Sequence, residues 1–180
     1  FIIITQSQKI LGSLGKITPE YLLKNFNFKK QLKVVLVVIE DSRGLMHRMS
    51  KEAIAGAQKI GGSITALVIG DNSDAILNEL SSIAIDETLV VKHELVSSYN
   101  SDGYTEVVAQ VVHSTNPDII VAGHTYQTRD FMPRVSARLD IPFIPDIIYV
   151  EQDSYTKQVL NSKLNSSVSS SSNKKILSFQ

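Results

Sequence analysis

Apolar residues in this chain fall into short unbroken runs, separated by stretches in which they recur every three or four positions. Lys33 to Ile39 reads KVVLVVI, a β-branched run without polar alternation, as a strand covered by helices on both faces requires. Asp41, Ser42, Arg43 and Gly44 are turn residues. A helix is expected from near Ser50, with Ala53, Ile54, Ala57 and Ile60 on one face and Gly61 and Gly62 as its stop. Ile64 to Ile69 predicts a second buried strand, followed by a helix with Ile76, Leu80, Ile83 and Ala84 inward. Thr88 to Val91 predicts a third strand. Asp102 is expected to cap a helix in which Tyr104, Val107, Val108, Val111 and Val112 keep helical spacing.

Pro117 breaks that helix ahead of Asp118 to Ala122, a further buried-strand run that delivers Gly123 at its carboxyl end. Gly123 to Arg129 reads as a polar loop. The helix after it places Met132, Val135, Ser136 and Leu139 on one face, with Pro133 acceptable only in its first turn. From Ile147 the pattern becomes short alternating stretches, Ile147 to Val150, Lys157 to Leu160 and Lys175 to Phe179, expected as antiparallel strands or hairpins. Ser162 to Ser172 has the composition of a linker, although Asn165, Ser167 and Ser169 equally suit the solvent face of a strand. Residues 1–31 form a separate arm, with a helix start at Thr18, Pro19 and Glu20 and an apolar face of Tyr21, Leu22, Leu23 and Phe26. The expectation is an α/β fold: a parallel sheet between two helical layers over residues 32–180, with antiparallel strands at its C-terminal end.

Composition narrows the chemistry. The 180 residues carry 18 basic and 18 acidic side chains, so no net field gathers nucleic acid or an anionic membrane. Without cysteine there is no disulfide, thiolate nucleophile, Cys-ligated zinc or iron-sulfur cluster. The opening run Phe1 to Ile4 is too short for a signal peptide or a membrane span, and membrane insertion is not expected. The Lys-rich start shares a bias with organellar transit peptides, but those favour Arg, which residues 1–31 lack. A bacterial cytoplasmic setting is expected ahead of a mitochondrial matrix.

Candidate site residues are few. His47, His93, His113 and His124 show no metal-ligand spacing, so no metal site is expected, and only His124 has a functional address, after a strand. Neither a Gly-x-Gly-x-x-Gly nor a phosphate-loop motif occurs, and Glu40 and Asp41 close the first strand instead. That acidic pair suits acid/base or metal chemistry in principle, while Asp41 suits a turn. Gly123, His124, Thr125, Thr128 and Arg129 join a strand end to a helix amino terminus, where backbone N–H groups favour an anion. The alternative is an interface loop, with Thr128 or Asp130 capping the helix and Arg129 and Arg134 pairing with acids across that interface.

Residues 107–147, VVAQVVHSTNPDIIVAGHTYQTRDFMPRVSARLDIPFIPDI, resemble the amino-terminal domain of electron transfer flavoprotein α subunits. The family's Pro-Arg-Val-Ala-Ala-x-Leu-Asp helix and closing Asp-Ile fall on Pro133, Arg134, Val135, Ser136, Ala137, Leu139, Asp140, Asp146 and Ile147. The resemblance runs upstream to Val35 to Glu40 and downstream to Phe179. It weakens near the end, where a family Gly-Asn pair is replaced by Ser162 and Lys163 and a final Arg by Gln180, so the contacts of those residues are not carried over.

The resemblance implies an adenine nucleotide α-hydrolase-like, Rossmann-like domain. It implies a subunit that pairs with a β subunit, the heterodimer carrying FAD as an electron shuttle between dehydrogenases and a quinone reductase or similar acceptor. In the family the flavin is held mainly by a C-terminal domain, expected after Gln180 and absent from this chain, so this chain by itself is expected to hold no cofactor and no catalytic residue. It would serve as scaffold and interface. The rival readings are an adenine-nucleotide-binding module of the universal-stress type, whose glycine loops are missing, and a free-standing interaction domain that never meets flavin.

Overall fold

The computed structural model describes residues 2–4, 33–71 and 73–180. The helix expected around Tyr21 to Phe26 lies outside the described residues. In chain order the strands are β1 (Ile2–Ile4), β2 (Val34–Ile39), β3 (Asp41–Ser42), β4 (Leu45–Met46), β5 (Ser63–Ile69), β6 (Glu87–Val91), β7 (Ile119–Gly123), β8 (Phe143–Glu151), β9 (Ser154–Val159), β10 (Leu164–Ser169) and β11 (Lys175–Phe179). The helices are α1 (Arg48–Ile60), α2 (Ser73–Leu80), α3 (Ser101–Thr115) and α4 (Tyr126–Leu139). A 9-stranded sheet has the order β1-β6-β5-β2-β7-β11-β8-β9-β10, while β3 and β4 make a small hairpin beside it.

The strands from β6 to β8 in that order are all parallel to their neighbours. Antiparallel pairs extend both edges: β1 on β6, and β9 and β10 beyond β8. The architecture is the expected α/β one, a three-layer Rossmann-like domain. Strand β2 shows why its sequence does not alternate. Val35, Val37 and Ile39 pack with Ala53, Ile54 and Ala57 of α1, while Leu36 and Val38 pack on the opposite face with α3 and α4 residues Val108, Val112, Met132 and Val135. Both faces of the strand are core.

Aspartates stand just before two of the strands, Asp86 before β6 and Asp118 before β7. The Asp118 carboxylate accepts from the Val34 N–H at 2.8 Å, and that of Asp86 accepts from the Ile64 N–H at 2.7 Å. Each occupies a backbone donor at a strand's amino end that the ladder leaves open.

Four local expectations are corrected. Asn100, not Asp102, caps α3: its backbone is extended and its side chain accepts from the Gly103 N–H at 2.6 Å, whereas Asp102 already lies in the first turn. Helix α2 stops at Leu80, because the Ser81 and Ser82 hydroxyls donate to the carbonyls of Asn78 and Glu79 and end the turn; Ala84 is exposed. Pro133 lies in the interior of α4, not its first turn. It stands on the solvent side with Arg129, whose carbonyl it leaves without a helical donor, so water can satisfy that oxygen.

The fourth correction concerns Lys175–Phe179. This segment is not an antiparallel hairpin strand but β11, fully buried and parallel to both β7 and β8. The serine-rich stretch before it is β10, with Asn165, Ser167 and Ser169 exposed, which is the strand reading of the two left open. The polar hairpin therefore projects outward, and the chain then returns to the middle of the sheet.

Helix α1 crosses this region closely. A β-carbon on Gly56 would sit 2.7 Å from the Phe179 ring. Gly56→Ala is expected to lower the unfolding free energy by about 1–3 kcal/mol in urea titrations, the range for overpacking a filled core. Phe179→Leu should absorb part of that loss, so the double variant is expected to be more stable than the two single losses summed; simple additivity would show that the ring is not what the added methyl meets.

Candidate functional site

Strand order places the site. From β2 the chain goes by α1 to β5 on one side, while β7 lies on the other side of β2 and is reached later through α3. The carboxyl ends of β2 and β7 therefore flank the point where the winding reverses, the usual ligand crevice of open α/β sheets. Here they carry Glu40 and His124, and an open cleft of about 500 Å³ between them is lined by Glu40, His47, Met49, His124, Thr125, Tyr126, Gln127 and Arg129.

Thr125 organises the loop. It is extended and caps α4, its hydroxyl oxygen accepting from the Thr128 N–H at 3.1 Å, while its O–H donates to the Glu40 carboxylate. The cap is thus neither Thr128 nor Asp130, and the polar loop shrinks to His124 and Thr125. Thr128 is buried, Arg129 is exposed with its guanidinium 5.7 Å from the Tyr126 ring, and Tyr126 is 88% exposed. Arg134 does pair with acids, but within the chain: Asp102 at 3.0 Å and Asp130 at 3.7 Å. Among the described residues Arg129 makes no ion pair.

Gly123 has a packing role. A β-carbon there would lie 2.6 Å from the Met49 backbone, so the glycine lets the start of α1 rest directly on the end of β7. From α1, the Ser50 hydroxyl accepts from the Glu40 N–H at 2.9 Å, and His47 caps the helix by accepting from the Met49 N–H at 3.0 Å. Asp41 makes the expected turn, its carboxylate accepting from the Gly44 N–H at 2.6 Å. His93 caps a 3-10 turn and His113 is exposed on α3, so neither lines the cleft that His47 and His124 share.

His124 belongs to a second cluster that sequence reasoning missed. Its Nδ1 lies 2.9 Å from the Ser178 hydroxyl and its Nε2 lies 3.8 Å from the Asp146 carboxylate, while the Ser178 oxygen also accepts from the Asp146 N–H at 3.2 Å. Asp146 has a φ of 64°, the left-handed region, inside β8. Asp146 was visible in the Asp-Ile motif, but Ser178 had no signal, because its partner is 54 residues away. Burial depresses the His124 pKa below 6.5; Asp146 opposes this, and Arg129 and Lys157 add to it. A neutral ring, accepting at Nδ1 and directing Nε2–H toward Asp146, fits these contacts.

Residues 35–180 match the electron transfer flavoprotein domain. The chain belongs to the electron transfer flavoprotein family. It is 33% identical over 120 residues to the electron transfer flavoprotein subunit alpha of Bacillus subtilis, covering 66% of this chain and 37% of that protein. To the protein of the same name from Clostridium acetobutylicum it is 29% identical over 136 residues, covering 73% and 40%. To the acryloyl-CoA reductase electron transfer subunit beta of Anaerotignum propionicum it is 27% identical over 123 residues, covering 66% and 34%. The resemblance seen in the sequence to α subunits of this family thus holds, and the chain spans well under half the length of these relatives.

Family membership implies FAD, but the switch-point crevice does not fit its pyrophosphate. The Glu40 carboxylate faces that space, Gly123 is closed by Met49, and Thr125 already occupies the Thr128 N–H at the head of α4. No helix among the described residues is long and apolar enough to cross a membrane.

Burial raises the Glu40 pKa above 4.5, with Asp41 adding to the shift and the Thr125 hydroxyl and His47 opposing it. A carboxyl that holds its proton more tightly when folded contributes stability below pH 4.5, and loses it as pH rises through the folded value. Glu40→Gln is expected to remove that loss: its stability relative to wild type should grow from pH 4.5 upward and then level off in urea midpoints. For His124 the sign is opposite, since its folded pKa is depressed. Stability is expected to fall as pH drops below 6.5, and a proton NMR titration should place this ring below 6.5.

Proposed function

We propose that this domain is the scaffold and β-subunit interface of an FAD-dependent electron shuttle, with the flavin held mainly by polypeptide outside these 180 residues. The observation that carries the reading is the family match across residues 35–180. Names of the relatives support it, since they describe electron transfer subunits. The heterodimer would take electrons from dehydrogenases and deliver them to a quinone reductase or similar acceptor, in the bacterial cytoplasm.

Within that role the loop Gly123, His124, Thr125, Thr128 and Arg129 is an interface element rather than an anion cradle. Glu40 beside Thr125 disfavours a phosphate there, and the exposed Tyr126 and Arg129 are of the types enriched at protein contacts. Thr125 and Thr128 would hold the loop's shape, and Gly123 its seat on α1. This domain would carry no catalytic residue of its own.

The complete gene product, co-expressed with its β subunit, is expected to purify yellow with bound FAD, while the 180-residue chain alone binds none. A colourless heterodimer that FAD cannot reconstitute would sink the reading. Tyr126→Ala with Arg129→Glu should weaken the heterodimer at least tenfold, about 1.4 kcal/mol, without changing the fold of either subunit. Saturable AMP binding by this chain, lost in Arg129→Ala, would favour the adenine-nucleotide module instead.

A further inference from the structure

The Glu40 carboxylate carries a charge that its own fold does not use. It follows β2 at the switch-point cleft of about 500 Å³, half-buried beside His47, Met49, Thr125 and Tyr126. Its backbone N–H is taken by the Ser50 hydroxyl, and its carboxylate accepts from the Thr125 O–H. Neither contact needs an anion. A glutamine carbonyl would accept from Thr125 as well, without the cost of taking a charge out of water. That cost shows in the raised Glu40 pKa, since burial, with Asp41 adding to it, outweighs the help of Thr125 and His47.

A fixed, half-buried carboxylate that faces a cleft is an acceptor for a cation arriving from outside the domain. Within the chain, among the described residues, Glu40 joins no ion pair. Arg129 also lines the cleft, but its charge acts on His124 rather than on Glu40, and its guanidinium lies toward Tyr126. The walls choose between cations. The Met49 thioether and the Tyr126 ring suit a flat, weakly hydrated guanidinium better than a compact ammonium. A guanidinium fork also matches a carboxylate, whereas a phosphate or a second carboxylate has the wrong sign for Glu40.

We propose that an arginine side chain of the β subunit enters this cleft and pairs with the Glu40 carboxylate, with Tyr126 beside its guanidinium. The inference rests on the interface reading of the loop and names the partner chemistry of that site. Arg129, on the His124 side of the cleft, is left for an acid of the same partner, so the contact is charge-balanced.

Glu40→Gln keeps an acceptor for Thr125 and is expected to leave the domain folded and at least as stable in urea at neutral pH. In the complete gene product it should nevertheless weaken the heterodimer at least about tenfold, chiefly through faster dissociation. The same loss should appear in wild type as pH falls toward 4.5 and Glu40 takes up a proton, and should be missing in Glu40→Gln. The charges of His47, His124, Asp41 and Arg129 are common to both proteins, so the difference isolates Glu40. A purely structural carboxylate would move neither reading. A tight heterodimer indifferent to Glu40→Gln across this pH range overturns the inference alone; that is also the result if a lysine within residues 5–32 of the same chain holds the carboxylate. A wild-type chain that forms no heterodimer overturns the interface reading and this inference with it.

Discussion

Helix α1 lies so close to strands β7 and β11 that no side chain fits at two points of contact. Gly123 meets the Met49 backbone, and Gly56 faces the Phe179 ring. Everything at the carboxyl edge of the sheet follows from this approach. It places the first residues of α1 beside the end of β2, where Ser50 takes the Glu40 N–H, and so fixes where the Glu40 carboxylate stands. Glu40 then receives the Thr125 hydroxyl, and the same oxygen caps α4. Two glycines far apart in sequence thus set the geometry of a crevice whose polar residues come from three separate elements.

Strand β11 depends on the same contact from the other end. Its residues are all buried, between β7 and β8 and beneath α1, and its backbone carries the cluster at the edge: the His124 N–H donates to the Phe179 carbonyl at 2.6 Å, and Ser178 stands between His124 and Asp146. The last strand in sequence is central in space. The hairpin of β9 and β10 lies between β8 and β11 in the chain and is excluded to the periphery, where polar side chains remain and β10 is the last strand of the sheet among the described residues.

Burial raises the Glu40 pKa above 4.5 and lowers that of His124 below 6.5, the direction it has for any carboxyl and imidazole taken out of water. The ion pairs tying α3 to α4, from Arg134 to Asp102 and from Arg138 to Glu106, are solvent-exposed, so water and salt screen them and they add little to stability. Packing holds the helices in place, at the glycine contacts for α1 and through Val108, Val112, Met132 and Val135 for α3 and α4.

The sequence by itself determined the parallel α/β architecture, because unbroken β-branched runs need helices on both faces and the helical spacing between them supplies those helices. It also determined the family, through the ordered motif from Val107 to Ile147, and the location of the candidate loop after β7. Only the tertiary structure decided what those residues do. Gly123 stood in a loop that suited either an anion or an interface, and it is a packing glycine, because Met49 comes from a different element. Thr125 rather than Thr128 caps α4, because the helix begins earlier than Pro133 suggested. Lys175 to Phe179 looked like a hairpin strand, since a short run of mixed residues carries no mark of its neighbours. Strand direction and side-chain partners are set by contacts across the chain, and those are absent from any local pattern of residues.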